Sequence, residues 1–399
     1  MAALRVYNTL SRRKEVFVPL VPGRVRMFVC GPTVQGPIHL GHARTYIFYD
    51  VVARYLSHLG LKVEFLMNIT DVDERISAAA REAKTDPMSL ALRYSKSFLE
   101  DLTALRVSSV TRFEPVSRHM EDAIRQVSLL LRRNSAYAVD GWVYFDTSTF
   151  PRFGALSHQS KAELALHPLE LSPRKRNLAD FSLWRPEVLV EGKWASPWGV
   201  GSPGWHIQDT AITLAAFGPQ YDIHGGAYEL IYPHHEAEIA QGESITGVAP
   251  IVKYWIHTHL VTTAGEKMSK SLGNVYTVGD ALTKYSPDCI RFYFLLTHYR
   301  RDMSLSKLEA TVKRLERLRE KVAEISRRAK KGNGSGNPGV LKPFYSAMND
   351  DFDTPRAIMA LERLADLGAA EADPAKAHSV IEALKTAFGI LGVEINGPR

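Results

Sequence analysis

The stretch CGPTVQGPIHLGHART, residues 30–45, decides how the fold is read. Before it stands VRMFVC (25–30), a short run of the kind that buried strands carry. After it comes ARTYIFYDVVARYLSHLG (43–60), helical and ending on glycine, and then LKVEFLMNI (61–69), strand again. A strand, a helix and a strand joined at this length make a parallel pair, and so a doubly wound α/β sheet. The loop combines glycines and prolines, which let backbone approach a ligand, with a helix start that favours anions. His39 and His42 lie one turn apart at that start. A phosphate cradle, a metal pair and a chance His-x-x-His are all compatible with these residues.

Outward from this unit, helical segments continue to about residue 135, and AYAVDGWVYFDTS reads as a hairpin turning at Asp140 and Gly141. Residues 151–204 are rich in Pro, Trp and Gly with little periodicity, and read as loops and short elements inserted into the sheet. A second α/β pattern resumes with YDIHGG (221–226), a helix from 234, and VKYWIHTHLV (252–261), so the sheet is built from two halves. From about 278 the pattern is helical. KRLERLREKVAEISRRAKK (313–331) sets Leu315, Leu318, Val322 and Ile325 at helix-face spacing and carries nine basic and three acidic residues. Its net +6 suits a solvated face or an RNA-facing one. GNGSGNPG (332–339) has the composition of a flexible linker, and a small helical unit follows it.

Two further segments carry chemistry. In YPHHEAEIA (232–240), a helix after Pro233 puts His234 and Glu238 one turn apart on one face, half of a metal site. In GEKMSKSLGN (265–274), Lys267 and Lys270 stand in a glycine-flanked loop. Two ammonium groups there can hold a triphosphate and neutralise its developing charge; an exposed basic loop is the plainer alternative. Composition sets the outer limits. With 399 residues, 45% of them hydrophobic, two or three domains have room for proper cores. No segment approaches the ~18 uninterrupted apolar residues of a membrane span. MAALRVYNTLSRRK lacks the apolar centre of a signal peptide, so a cytoplasmic protein with no membrane partner is expected. Cys30 and Cys289 make no disulfide framework, and the net charge of +7 fits a polyanionic partner without requiring one.

In order along the chain, YNTLSRRKEVF, FVCGPTV, NITDVDERI, DFSLWRP, SPWGVGSPGWHI, YDIHGGAYELIYPHHEAEIAQ, KMSKSLGN and MNDDFDTP carry a specific resemblance. The chain resembles class I aminoacyl-tRNA synthetases, whose HIGH and KMSKS signatures match His39-Leu40-Gly41-His42 and Lys267-Met268-Ser269-Lys270-Ser271. More narrowly it is similar to cysteinyl-tRNA synthetases, in register from residue 5 to about 365. The resemblance implies an α/β fold: a Rossmann-like parallel sheet split by an insertion and followed by an α-helical C-terminal domain. The first half of the catalytic domain is then expected over 1–112, the insertion over 113–204 and the second half with the KMSKS loop over 205–276. A helical stem (277–331), the linker (332–339) and a small anticodon-binding-like unit (340–399), shortened relative to the family, complete the expectation.

The same resemblance implies an activity: ATP-dependent activation of L-cysteine and its transfer to the 3′ end of tRNA(Cys), with Mg2+ accompanying ATP. His39, His42, Lys267 and Lys270 take the catalytic positions. Gly31, Thr33, Gly41, Met268, Ser269 and Ser271 join them around the nucleotide. Cys30, Thr70, Trp205 and His234 match residues of the amino-acid pocket, although Trp205 by itself also suits a core aromatic. One zinc ion is implied, with Cys30, Asp209, His234 and Glu238 at the ligand positions. GWHIQDTAI has Asp209 where the family has a second cysteine; a carboxylate is an accepted zinc ligand of the same formal charge, but it hardens the site. VQG at 34–36 departs from the family's VYD, which changes a side chain near the pocket. These departures and the shortened end leave two alternatives: a related ligase that passes an activated amino acid to a non-tRNA amine, or a paralogue with altered amino-acid specificity. A monomer is among the expected states.

Overall fold

The computed structural model describes residues 3–160, 163–164, 166, 171–186, 194–263, 266–267, 276–329 and 338–395. An N-terminal hairpin, β1 (Arg5–Asn8) and β2 (Arg13–Val16), precedes the expected strand, helix, strand unit of β3 (Arg24–Val29), α1 (Leu40–His58) and β4 (Lys62–Ile69). β3 and β4 run parallel with Met27 opposite Phe65, both fully buried. Burying side chains of this size stabilises by ~1.5–3 kcal/mol each. α1 starts at His39, whose ring caps the first turn, and the chain leaves it through Gly60 at φ +86°, a conformation glycine adopts without strain. Then follow α2 (Glu74–Glu82), α3 (Pro87–Ala104) and β5 (Arg112–Pro115), a parallel edge strand that begins at residue 112, where the first half was expected to close.

The insertion holds α4 (Met120–Arg132) and a four-stranded antiparallel sheet: β6 (Ala136–Val139), β7 (Trp142–Phe145), β8 (Phe181–Arg185) and β9 (Ser202–Pro203). β6 and β7 form the expected hairpin. Asp140 and Gly141 both take positive φ (+48° and +79°), the geometry that lets a two-residue turn match strand twist. The second half supplies α5 (Trp205–Phe217), β10 (Tyr221–Ala227), α6 (Glu236–Thr246) and β11 (Val252–Thr258). The parallel sheet has the order β11-β10-β3-β4-β5, so strands from the two halves meet at β3 and β10 in its middle. Open α/β sheets bind ligands outside the carboxyl ends of their strands at such a junction.

Beyond it come β12 (Val261–Thr263), β13 (Glu266–Lys267), α7 (Val278–Leu282), α8 (Pro287–Leu295) and β14 (Met303–Ser304). A helical bundle closes the chain: α9 (Leu308–Ala329), α10 (Lys342–Met348), α11 (Thr354–Ala370) and α12 (Pro374–Leu391). Leu315, Leu318, Val322 and Ile325 of α9 are buried, as their spacing predicts. The basic face of α9 is largely spent inside the protein. Arg314 forks onto Glu362 with two 2.7 Å bonds, Arg319 reaches Asp288 at 2.7 Å, Lys321 pairs with Asp366, and Arg328 donates to the carbonyls of Gly368, Ala369 and Glu371. Among the described cations of α9, Lys313, Arg314, Arg317 and Arg327 are exposed, and Arg314 is already paired with Glu362. Arg291 of α8 meets Asp50 of α1 at 2.7 Å, with both side chains fully buried, and donates to the Leu391 carbonyl of α12 at 3.0 Å, which ties the bundle to α1. Among the described residues no helix is long and apolar enough to cross a membrane.

Candidate functional site

The loop after β3 turns back along the sheet top because Gly31 allows it. A Cβ there would lie 1.8 Å from the Asn68 carbonyl oxygen, and the Gly31 amide donates instead to Asn68 Oδ1 at 2.6 Å. Thr70 and Val34 continue the contact through two 3.1 Å backbone bonds, Thr70 to Pro32 and Val34 to Thr70. Thr33 Oγ1 accepts from Arg75 at 2.9 Å. At the start of α1, His39 Nδ1 accepts from the Gly41 amide (3.1 Å), His42 Nδ1 accepts from the His39 amide (3.2 Å), and the rings stack 3.9 Å apart. A neutral imidazole that accepts at Nδ1 carries its proton on Nε2. This helix start is joined to the segment following the KMSKS residues, since Leu40 donates to Tyr276 and Val278 donates to Ile38 through their backbones. Lys267 ends β13; Met268, Ser269, Lys270 and Ser271 lie outside the described residues.

Beside this loop the chain gathers a buried cluster. Cys30 follows β3, Asp209 lies on α5, His234 and His235 fall in a π turn (Ile231–His235) before α6, and Glu238 is in the first turn of α6. The one-turn spacing of His234 and Glu238 is realised: Nε2 and Oε1 are 2.9 Å apart. Asp209 Oδ2 lies 3.0 Å from His234 Nε2 and 3.4 Å from Cys30 Sγ. So the four residues at the implied ligand positions converge, with ligand atoms all within 4.8 Å of one another. His224 and His235, which the sequence reading passed over, face the same sulfur: their Nε2 atoms stand 3.5 and 3.1 Å from Cys30 Sγ. The signal for them was present in YDIHGG and PHHE, where histidine occurs in the buried strand and in the turn that form this corner.

The electrostatics fit a cation. Burial pushes the Cys30 thiol well above its ordinary value, and Asp209 and Glu238 push the same way. Burial also raises the Glu238 carboxyl against the pull of His234. Burial alone would lower His234, but Glu238 and Asp209 overcome it and raise the ring to about 9. His206, His224 and His235 are held well below the usual range by burial and stay neutral, ready to give a lone pair. His234 Nε2 faces both Asp209 Oδ2 at 3.0 Å and Glu238 Oε1 at 2.9 Å; one N–H cannot serve both well, and Glu238 Oε1 is buried with no other donor. A buried carboxylate oxygen with no donor costs free energy that a divalent ion removes. One sulfur, one imidazole and two carboxylates form an acceptable zinc donor set.

The wall of the pocket is Trp205, the first residue of α5, stacked on His234 with centroids 4.3 Å apart. Arg75 covers the ring at 5.0 Å, and His206 Nδ1 meets His234 Nδ1 at 2.9 Å. A cavity of about 240 Å³ lies on the Arg75 side of Trp205, between Arg75, Phe181, Trp205, His206 and Pro233, and like the next groove it is not lined by Cys30, Asp209, His234 or Glu238. A larger groove of about 750 Å³ runs along α9 between Tyr285, Cys289 and Lys385, and contains none of the cluster's residues. Thr70 is buried beside Asn68, its Oγ1 accepting from Asn68 Nδ2 at 3.2 Å. Glu236 is a structural anchor: it accepts from the amides of Gly154, Leu156 and Ser157 and ties the insertion to α6.

A family model described as tRNA synthetases class I (C) catalytic domain matches residues 16–314, and one described as DALR domain matches residues 343–396. A cysteine–tRNA ligase of Pelotomaculum thermopropionicum is 44% identical over 374 residues, 91% of this chain and 77% of the relative. One of Heliobacterium modesticaldum is 40% identical over 421 residues, 99% of this chain and 88% of the relative. Among solved structures, Mycobacterium tuberculosis methionyl-tRNA synthetase in complex with methionyl-adenylate is similar with a TM-score of 0.66 at 17% identity, covering 92% of this chain and 89% of that one. An Agrobacterium radiobacter LeuRS–tRNA–LeuAMS ternary complex is similar with a TM-score of 0.68 at 12% identity, covering 94% and 84%. These two likenesses bear on the fold.

Proposed function

The chain belongs to the cysteine–tRNA ligase family of class I tRNA synthetases, and we propose that it activates L-cysteine with ATP and esterifies it to the 3′ end of tRNA(Cys). The observation that carries this reading is the loop after β3 beside β10, which starts at Cys30 of the Cys30, Asp209, His234 and Glu238 cluster and ends at the His39 and His42 helix start.

In the first step the cysteine carboxylate attacks the α-phosphorus of ATP in line, the α–β phosphoanhydride breaks, and diphosphate leaves. In this reading His39 and His42, at the positive end of α1 and with Nδ1 engaged by backbone amides, donate from Nε2–H to phosphate oxygens as charge builds. Gly31, Thr33 and Gly41 would let backbone approach the nucleotide, Mg2+ would accompany its phosphates, and Lys270 and secondarily Lys267, with Met268, Ser269 and Ser271, would hold the triphosphate. Positioning and charge neutralisation supply most of the acceleration, with no covalent role for a side chain.

Cys30, Thr70, Trp205 and His234 frame the amino acid. Trp205 covers the cavity and excludes water, held flat between Arg75 and His234. Cys30, Asp209, His234 and Glu238 would hold zinc against the substrate. When bound, zinc supplies a Lewis acid that gains more from a thiolate than from a hydroxyl. In the second step a ribose hydroxyl of the tRNA attacks the acyl carbon and AMP leaves, with the 113–204 insertion guiding the tRNA end. The test is charging of tRNA(Cys) transcript with labelled cysteine. An alkali-labile aminoacyl ester is expected. Amino-acid-dependent diphosphate exchange with no ester on any tRNA, and an amide on an added amine acceptor instead, would overturn the proposal.

A further inference from the structure

Cys30 and Glu238 each face two ways. On the pocket side stand Asp209 and His234. On the opposite side, toward β10 and β11, stand His224 and His235, whose Nε2 atoms with Cys30 Sγ and a Glu238 oxygen also lie within 4.8 Å of one another. Glu238 divides its oxygens between the sides, Oε1 at 2.9 Å from His234 and Oε2 at 3.4 Å from His224. Both deep rings are prepared as ligands by partners on their other nitrogens. His224 Nδ1 lies 2.7 Å from the Tyr221 hydroxyl; His235 Nδ1 lies 2.8 Å from His257 Nε2, and His257 Nδ1 lies 2.8 Å from Thr9 Oγ1. A proton on His235 Nδ1 and another on His257 Nδ1 satisfy that chain in sequence and leave His235 Nε2 as a lone pair aimed at Cys30. Oriented imidazoles with supported second nitrogens are the usual form of a metal-ligating histidine.

We propose that the cluster contains a second, deeper position for a borderline-soft divalent ion such as zinc, formed by Cys30, His224, His235 and Glu238, and that zinc takes this position in the substrate-free protein. The proposal rests on the reading that the cluster holds an ion. The choice between positions follows from donor chemistry in this chain. With Asp209 where a thiolate could stand, the pocket side offers two carboxylates, one imidazole and one sulfur; the deep side offers two imidazoles, one carboxylate and one sulfur. Imidazole suits zinc better than carboxylate, which suits harder ions. The two positions share Cys30 and Glu238 and so serve one ion. Its move toward Asp209 and His234 accompanies arrival of the substrate thiol, which adds the second sulfur that the pocket side lacks.

The test is zinc content and affinity by chelator competition on the whole chain, in wild type, Asp209→Ala and His224→Gln, with X-ray absorption of the wild-type zinc edge counting imidazole ligands with and without cysteine. About one zinc per chain in Asp209→Ala, a 10–100-fold loss of affinity in His224→Gln, and two imidazoles in the substrate-free edge spectrum are expected. If wild type binds zinc but Asp209→Ala loses it while His224→Gln keeps it, or the spectrum counts one imidazole, the deep position is overturned and the pocket site stands. A wild type that takes up no zinc overturns both. The edge spectrum needs no variant, so a misfolded His224→Gln does not decide the matter.

Discussion

Asn68 Nδ2 donates a 2.8 Å hydrogen bond to Asp209 Oδ1, which leaves Oδ2 turned toward Cys30 and His234. Asn68 therefore fixes which oxygen of the carboxylate enters the cluster. Asn68→Ala is expected to lower kcat/KM for cysteine activation by ~10–100-fold while zinc content of the substrate-free protein stays unchanged. Diphosphate exchange and elemental analysis on the same preparation check both halves. Unaltered activity would mean that Asp209 needs no orientation.

Trp205 stacks on His234 and is covered by Arg75, and in the proposed function it frames the amino acid and not ATP. Losing an aromatic stack of ~0.5–1.5 kcal/mol predicts a rise of up to about tenfold in KM for cysteine for Trp205→Ala. KM for ATP should stay within about twofold. Equal changes in both constants would point to a general disturbance of the cleft.

His42→Ala should act on the chemical step. Removing one donor to developing charge costs ~10²–10³ in rate, so kcat for adenylate formation falls by that order with KM for cysteine little changed. Single-turnover formation of adenylate is the measurement, and a loss confined to KM would assign His42 to binding alone.

Asp50 and Arg291 make a prediction about acid stability. Burial by itself would raise the Asp50 carboxyl, but Arg291 and Arg54, with Ser109, hold it below the ordinary carboxylate range. Burial lowers Arg291 as well, yet an arginine keeps its proton through this range. A carboxyl with a folded pKa below its unfolded ~3.9 stabilises fully above that value and loses its contribution as pH falls through the folded one. Asp50→Asn leaves a buried guanidinium without its anion and should cost ~3–5 kcal/mol at neutral pH. Denaturant titrations from pH 7 to 3 should show a flatter acid limb in the variant than in wild type.

Much of this was legible in the chain, for identifiable reasons. The β3, α1, β4 unit is readable because its periodicity changes sharply at Gly31 and Gly60, and the Asp140-Gly141 turn because both residues tolerate positive φ. His234 and Glu238 could be paired in advance since they share one helix face. His224 and His235 could not, because their meeting with Cys30 depends on β10 lying against β3, a contact between residues 194 and 205 positions apart. The destination of the charges on α9 was hidden for the same reason: Arg314 and Lys321 find Glu362 and Asp366 only once α11 packs on α9.

A cation in this cluster is proposed to select the amino acid by its sulfur. This is tested most directly by diphosphate exchange with cysteine and with serine, before and after exhaustive removal of metal. A cysteine preference in kcat/KM above the ~10² that a pocket reading shape alone attains is expected, collapsing when metal is removed and returning with zinc. A preference that is below that level, or that survives metal removal intact, would contradict it.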